Sequence, residues 1–409
     1  MRKIFIPIVA LVLLVAAGGA WWFLSQKETP PQAEVTGTLP PGGGEDPGAT
    51  GTPGGIATST QGTTPSTTAP ATGSVLTKIS DSPVVAYAQT RNGNIRIVEK
   101  SGQISLVSRS GEATTESSNT FENVSHAFFL ENGAKAVVSF GKPGTRQTSV
   151  FDASTKKWSA LPSGITSLAP SPSDSRVAYA TETGAGTTIA LLDLKTPGQK
   201  PKPIYSLSAL DLVLDWFAPN SLQISERPSA WYENSSWNLS LSSLALTPLI
   251  SEERGIMARW NTSGTLGFLF SSEKKLRGGT SRLISPTERT IRSFSFLSFP
   301  SKCDFSVELV PLPPRGTSTA RVFREEEFLY CAIPTDQQSL GTIALPDTYL
   351  QKSIFTQDVF YRISLVDGGA TKFFSPLQPT DADRVRVASG SIYFVNRYNE
   401  LLYALSLPK

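Results

Sequence analysis

Few side chains in this 409-residue sequence are of a type that does chemistry unaided. His126 is the single histidine, so it alone could serve as the base of a Ser–His–Asp hydrolase. It lies in Val124-Ser125-His126-Ala127-Phe128-Phe129, which reads as a strand, and a hydrogen-bonded structural histidine is the expected role. No Gly-x-Ser-x-Gly nucleophile elbow occurs, and there is no Walker loop or dinucleotide fingerprint. One histidine and two cysteines are too few for a zinc site built from those ligands, so no metal and no cofactor is expected. Asp381-Ala382-Asp383 begins like a calcium loop but lacks the later glycine and glutamate of an EF-hand. Arginines and aspartates are plentiful enough for a sialidase-type cluster, which is scattered in sequence, but no Ser-x-Asp-x-Gly-x-x-Trp box accompanies them. The residues argue against an enzyme.

Cys303 and Cys331 are the only cysteines. In an exported chain they are expected to form a disulfide, the alternative being two buried thiols. Closing that loop would restrict the unfolded chain by roughly 3–4 kcal/mol.

Two stretches look built for binding. Arg227–Trp237 places Trp231, Tyr232 and Trp237 among Arg227, asparagines and serines, the mixture that peptide and glycan recognition uses. The alternative is that these rings cover a sheet edge or plug a funnel. Thr335–Gln357 is a long insertion containing Leu345-Pro346-Asp347-Thr348-Tyr349, and long loops in compact domains are often functional or act as lids. The tentative ligand-binding residues are therefore Arg227, Trp231, Tyr232, Trp237 and Tyr349. Lys274-Lys275-Leu276-Arg277 reads as a solvated basic turn.

Short segments rich in β-branched and aromatic residues must position these loops. Val84–Ala88, Ile95–Val98, Ile104–Val107, Ala136–Phe140, Ser149–Asp152, Val177–Ala180 and Thr188–Leu194 read as strands bounded by Gly, Pro, Asn or Ser. A strand–polar turn–strand unit returns about every 40–50 residues, clearest in Leu168–Ala180 with its Pro172-Ser173-Asp174-Ser175 turn. A second strand pair follows each copy. Four strands per unit at this period predict an all-β, seven-bladed β-propeller of four-stranded antiparallel blades. The last unit shows only three strands, so Val75–Ser80 is expected to return as its outer strand and close the ring. The disulfide would then join an inner strand to its antiparallel neighbour.

The turn-flanked pairs, as in Pro172–Tyr179, resemble blades of TolB-like and WD-repeat-like propellers and of the dipeptidyl-peptidase propeller. Ile79–Val85, Glu116–Thr120, Leu329–Pro334, Leu345–Tyr349 and Asp358–Ile363 are similar to membrane-anchored propeller proteins of candidate-phylum (Patescibacteria) bacteria. That resemblance implies a fold and a location, and it carries over no site residue.

The N-terminus supplies the location. Ile4 to Leu24 is nearly unbroken apolar sequence, long enough to span about 31 Å as a helix. Arg2 and Lys3 precede it and Trp21-Trp22-Phe23 end it, which predicts a cytoplasmic N-terminus and an exported remainder. A cleaved signal peptide is the competing reading. Residues 26–73 are rich in Pro, Gly and Thr and too poor in apolar side chains to fold, giving a disordered linker about 40 Å long as a random coil. The expected organisation is an anchor at 1–25, the linker at 26–73 and the propeller at 74–409. With a net charge of only +3 and interspersed signs, nothing marks a nucleic-acid surface. The sequence points to a single-pass membrane protein whose extracytoplasmic domain binds a protein or peptide of the cell envelope as a scaffold. A carbohydrate-active (sialidase- or lyase-like) enzyme and a small-ligand sensor are the alternatives.

Overall fold

The computed structural model describes residues 75–196, 198–273, 277–311 and 323–408. The apolar segment Ile4–Leu24, the linker and most of the basic turn at Lys274 lie outside these residues. Among the described residues no helix is long and apolar enough to cross a membrane.

The first strand, β1 (Leu76–Lys78), finds its partner only at the end of the chain. A four-stranded antiparallel sheet follows, made of β2 (Val84–Gln89), β3 (Ile95–Glu99), β4 (Ile104–Val107) and β5 (Ala113–Ser117). The second is β6 (His126–Leu130), β7 (Lys135–Phe140), β8 (Gln147–Asp152) and β9 (Lys157–Ala160). The third is β10 (Ile165–Pro170), β11 (Arg176–Thr183), β12 (Gly186–Asp193) and β13 (Lys202–Leu207). Then comes a seven-stranded sheet in chain order: β14 (Leu212–Ala218), β15 (Ser221–Glu226), β16 (Glu233–Ser240), β17 (Leu246–Trp260), β18 (Gly267–Ser272), β19 (Gly279–Ile284) and β20 (Arg292–Ser293). After the 3₁₀ turn Pro300–Lys302 come β21 (Cys303–Pro311), β22 (Phe323–Pro334), β23 (Asp358–Ser364) and β24 (Ala370–Phe374). The last sheet is β25 (Ala382–Ala388), β26 (Ser391–Asn396) and β27 (Leu401–Ser406), completed on its outer edge by β1.

That last pairing is the closure expected from the sequence. Leu76 lies opposite Leu405 and Lys78 opposite Tyr403, so β27 presents no open edge to solvent. The hairpin between β25 and β26 turns on Ser389 (φ 48°) and Gly390 (φ 74°), the two positive-φ positions of a primed two-residue turn. The length of β17 has a local cause. Its first part pairs with β16 and its last with β18, and the backbone changes course at Glu252 (φ 60°) and Gly255 (φ 62°).

Middle strands such as β7, β11 and β18 bury both faces because each sheet packs against its neighbours, while outer strands such as β9 and β24 are largely exposed. Val85, Val98 and Phe151 join the first two sheets, and Leu130, Val137, Val177 and Tyr179 join the second to the third. Ala180, Ile189, Leu214 and Trp216 join the third to the seven-stranded sheet, which carries its own cluster of Phe217, Trp260 and Leu269. Phe268, Cys303 and Leu329 continue to the next sheet, followed by Phe360 with Phe394. Val395 and Leu402 then meet Val84 and Ile97, so the series of cores closes on itself. The first strands also lie beside one another, β2 by β6, β10 by β14 and β21 by β25.

Cys303 and Cys331 form the expected disulfide. They sit directly opposite each other on β21 and β22, with Cα atoms 4.2 Å apart and both side chains buried.

Candidate functional site

The two loops singled out in the sequence meet in the structure. The first is shorter than expected: β15 ends at Glu226 and β16 begins at Glu233, leaving residues 227–232 as the connection. The second, between β22 and β23, folds into two single-turn helices, α1 (Gln337–Leu340) and α2 (Asp347–Leu350). Asp347, at the start of α2, accepts hydrogen bonds from the Ala230 N–H at 2.6 Å and the Ser229 hydroxyl at 3.1 Å. Buried Asn234 braces the same loop, donating to the Arg227 carbonyl at 2.9 Å and accepting from the Ser229 and Gly255 N–H groups. Gly255 is required here, because a Cβ would lie 2.6 Å from Pro346 Cδ of the insertion.

The insertion continues across the rim. Gly278 donates to the Ile343 carbonyl at 2.9 Å, and Ser272 donates to the Leu345 carbonyl. Further on, Arg397 donates to the Tyr349 carbonyl at 2.7 Å, and Lys352 reaches Glu400, which also pairs with Lys100 beyond β3. Elements from the first, fourth, fifth and sixth sheets are thereby tied through one segment.

The five tentative ligand-binding residues separate into three environments. Trp231 and Tyr232 stand out from the short loop, 63% and 53% exposed. Arg227 beside them forms a two-pronged pair with Asp211, at 2.7 and 2.8 Å, with both side chains in solvent. Trp237 lies on β16 opposite Ile224 and Pro248, partly buried against the core between the third and fourth sheets. Strand alternation explains the difference: Trp237 is carried by the ladder, while Trp231 and Tyr232 lie in the turn before it. Tyr349 is buried. Its ring stacks on Phe299 at 3.9 Å, and the Arg397 guanidinium covers it at 3.9 Å. Burial, reinforced by Asp383, holds its hydroxyl well above the usual tyrosine range. The insertion and the β26–β27 turn also present Leu350, Phe355 and Tyr398, each about half exposed, with Phe355 stacked on Tyr398 at 5.1 Å.

Beneath the insertion lies a group that sequence reading missed. Lys302 is fully buried, its Nζ 2.5 Å from Asp358 Oδ2 and 2.5 Å from Asp381 Oδ1. Thr356 Oγ1 and the Ala382 carbonyl complete its surroundings, each at 3.0 Å. Arg397 Nη1 holds the other oxygen of Asp381 at 2.9 Å. The members are spread from 302 to 397, and the only hint was Asp381-Ala382-Asp383. Among the described residues, no group of three or more His, Cys, Asp or Glu is placed together to hold a metal ion.

A second polar group sits on the first strands. Asp304 of β21 accepts from Arg259 of β17 at 2.8 Å and from the Val387 N–H at 2.9 Å, and lies 3.5 Å from Arg386 of β25. Arg384 donates to the Val85 carbonyl, while the Tyr87 hydroxyl donates to the Arg384 and Tyr393 carbonyls. Partial burial pushes the Asp304 carboxyl up, against the pull of Arg259. His126 of β6 pairs with Ser139 in the ladder and its ring contacts Phe128, but the ring makes no hydrogen bond among the described residues, contrary to expectation. Its side chain is solvent-exposed, yet desolvation by the surrounding strands, with Arg384 and Arg146 nearby, lowers its pKa to about 4 and leaves the imidazole neutral.

With this geometry in hand, comparison with solved structures identifies the architecture. An oligogalacturonate lyase in complex with manganese superposes with a TM-score of 0.53 at 10% identity, covering 82% of this chain and 93% of that one. A prolyl endopeptidase superposes with a TM-score of 0.50 at 12% identity, covering 79% of this chain and 47% of the other. TolB from Acinetobacter baumannii is also similar, at 14% identity over 51% of this chain and 53% of its own, with a TM-score of 0.38. The fold is a β-propeller. At such identities the likeness extends to the fold and no further. No protein-family model matches the sequence, and no curated protein matches it.

Proposed function

We propose that this chain is a single-pass membrane protein whose extracytoplasmic propeller binds a protein or peptide of the cell envelope, acting as a scaffold. In this reading Ile4–Leu24 is the anchor, with a cytoplasmic N-terminus, residues 26–73 are the spacer, and the resemblance to membrane-anchored propellers supports that layout. The propeller has seven blades, β17 serving as the outer strand of one blade and the inner strand of the next. The observation that carries the binding role is the exposed Trp231-Tyr232 pair on a loop pinned by Asp347. Large apolar rings held in solvent by a braced backbone lose little entropy on docking. The test is affinity capture from envelope extract with the full chain in detergent, beside a Trp231→Ala/Tyr232→Ala version. A partner kept by the first and lost by the second supports the reading, and equal retention by both sinks it.

The polar group on the first strands favours a second reading, a carbohydrate-active enzyme for anionic sugars. Arg259, Arg384 and Arg386 gather there with Asp215, Asp304 and Asp383, and Arg259 Nε is buried with no partner among the described residues. Turnover of an anionic oligosaccharide that disappears in Arg386→Ala would favour it over the scaffold.

A further inference from the structure

The buried group around Lys302 has more than the parts of an ion pair. Asp358 and Asp381 are as inaccessible as Lys302 itself, and both touch its Nζ. The Ala382 N–H donates to Asp358 Oδ2 at 2.7 Å, where negative charge would gather if the carboxyl carbon were attacked. Thr356 Oγ1 stands 2.8 Å from Asp358 Oδ1 and 3.0 Å from Asp381 Oδ1, joining the two carboxyls through one hydroxyl. The second oxygen of Asp381 is fixed by Arg397 at 2.9 Å and by the Thr356 N–H at 3.1 Å. Nucleophile, electrophile, oxyanion donor and proton carrier are all in contact, in a site closed to water.

We propose that Lys302 and Asp358 join in an intramolecular isopeptide bond, with Asp381 as the catalytic proton carrier. Asp381 takes a proton from the Lys302 ammonium, and the freed nitrogen lone pair attacks Cγ of Asp358 in its acid form. The carbonyl electron pair moves to Oδ2, facing the Ala382 N–H. Asp381 passes its proton through the Thr356 hydroxyl to Oδ1, which leaves as water while the carbonyl re-forms. Asp381 then takes the proton shed by the new amide nitrogen. A C–N bond forms and a C–O bond breaks: ammonium plus carboxylic acid gives amide, water and one proton, with no oxidant or co-reactant. Burial also pushes the Asp358 carboxyl up, toward the acid form that the attack needs. The bond would lock the entry of β21 to the start of β23, beside the insertion that carries Asp347.

The test is the intact mass of the full chain, purified in detergent, with its disulfide reduced. The expected mass falls short of the sequence mass by one water, and fragmentation finds the Lys302 peptide joined to the Asp358 peptide. Asp381→Asn, shown folded by near-ultraviolet circular dichroism, is expected to keep its full sequence mass, as is Lys302→Met. A wild-type chain at full mass overturns the proposal. So does a water loss that maps to a succinimide at Asp367–Gly368. A folded Asp381→Asn chain that still lacks the water overturns the role given to Asp381.

Discussion

The second and third sheets, His126–Leu207, and the last two, Cys303–Ser406, use the same strand plan and hold together differently. The former pack through Leu130, Val137, Phe151, Val177 and Tyr179, and short turns join their strands. The latter carry a disulfide, a buried set of four charged side chains and an insertion of two helical turns. An apolar interface tolerates other apolar side chains of about the right volume. A buried charge is tolerated only if every partner is present, so the second region depends on particular residues, not on composition. It also holds the insertion that braces the Trp231 loop.

That contrast can be broken at several points. Lys302→Met preserves side-chain length but leaves Asp358 without a cation and Asp381 with Arg397 alone, and is expected to cost about 3–5 kcal/mol in denaturant unfolding. A cost near that of an apolar swap would show that the charges are not decisive. Replacing Cys303 and Cys331 together by serine removes a cross-link over a sequence separation of 28, and should cost about 3–4 kcal/mol by the same measurement. On the apolar side, Phe151→Leu should cost only about 1 kcal/mol.

The pH response sharpens the picture further. His126 titrates near 4 when folded and near its usual value when unfolded, so the unfolded chain binds more protons between the two. Stability should therefore fall as pH drops through that window, by about 1 kcal/mol between neutral and pH 5 after allowing for solvent screening. His126→Gln should remove that part of the slope, and an unchanged slope would contradict the assignment. The smallest effect is expected at Trp231→Ala/Tyr232→Ala, within about 0.5 kcal/mol of wild type, because the rings stand in solvent. A large loss would mean that they cover the fold.

Legibility in the sequence followed the range of the interactions. The strand pairs around Pro172–Tyr179 and Ser389-Gly390 were readable because alternation and turn chemistry are local. The closing strand at Leu76–Lys78 was readable from a shortfall of one strand in the last unit. Of the tentative site, Arg227, Trp231 and Tyr232 share one short loop. Trp237 belongs to the ladder of β16 and Tyr349 to the interior, because aromatic composition alone does not say which side of a backbone a ring occupies.

The sequence by itself determined the all-β repeat, the closure of first strand on last, and the pairing of Cys303 with Cys331. Each follows from periodicity, turn residues or a count of two. Only the tertiary structure decided that Asp347 braces the Trp231 loop, that Arg259, Asp304 and Arg386 converge, and that Lys302 meets Asp358 and Asp381. Those contacts join residues dozens to more than a hundred positions apart. No local pattern encodes such distances, and closing the ring is what brings the residues together.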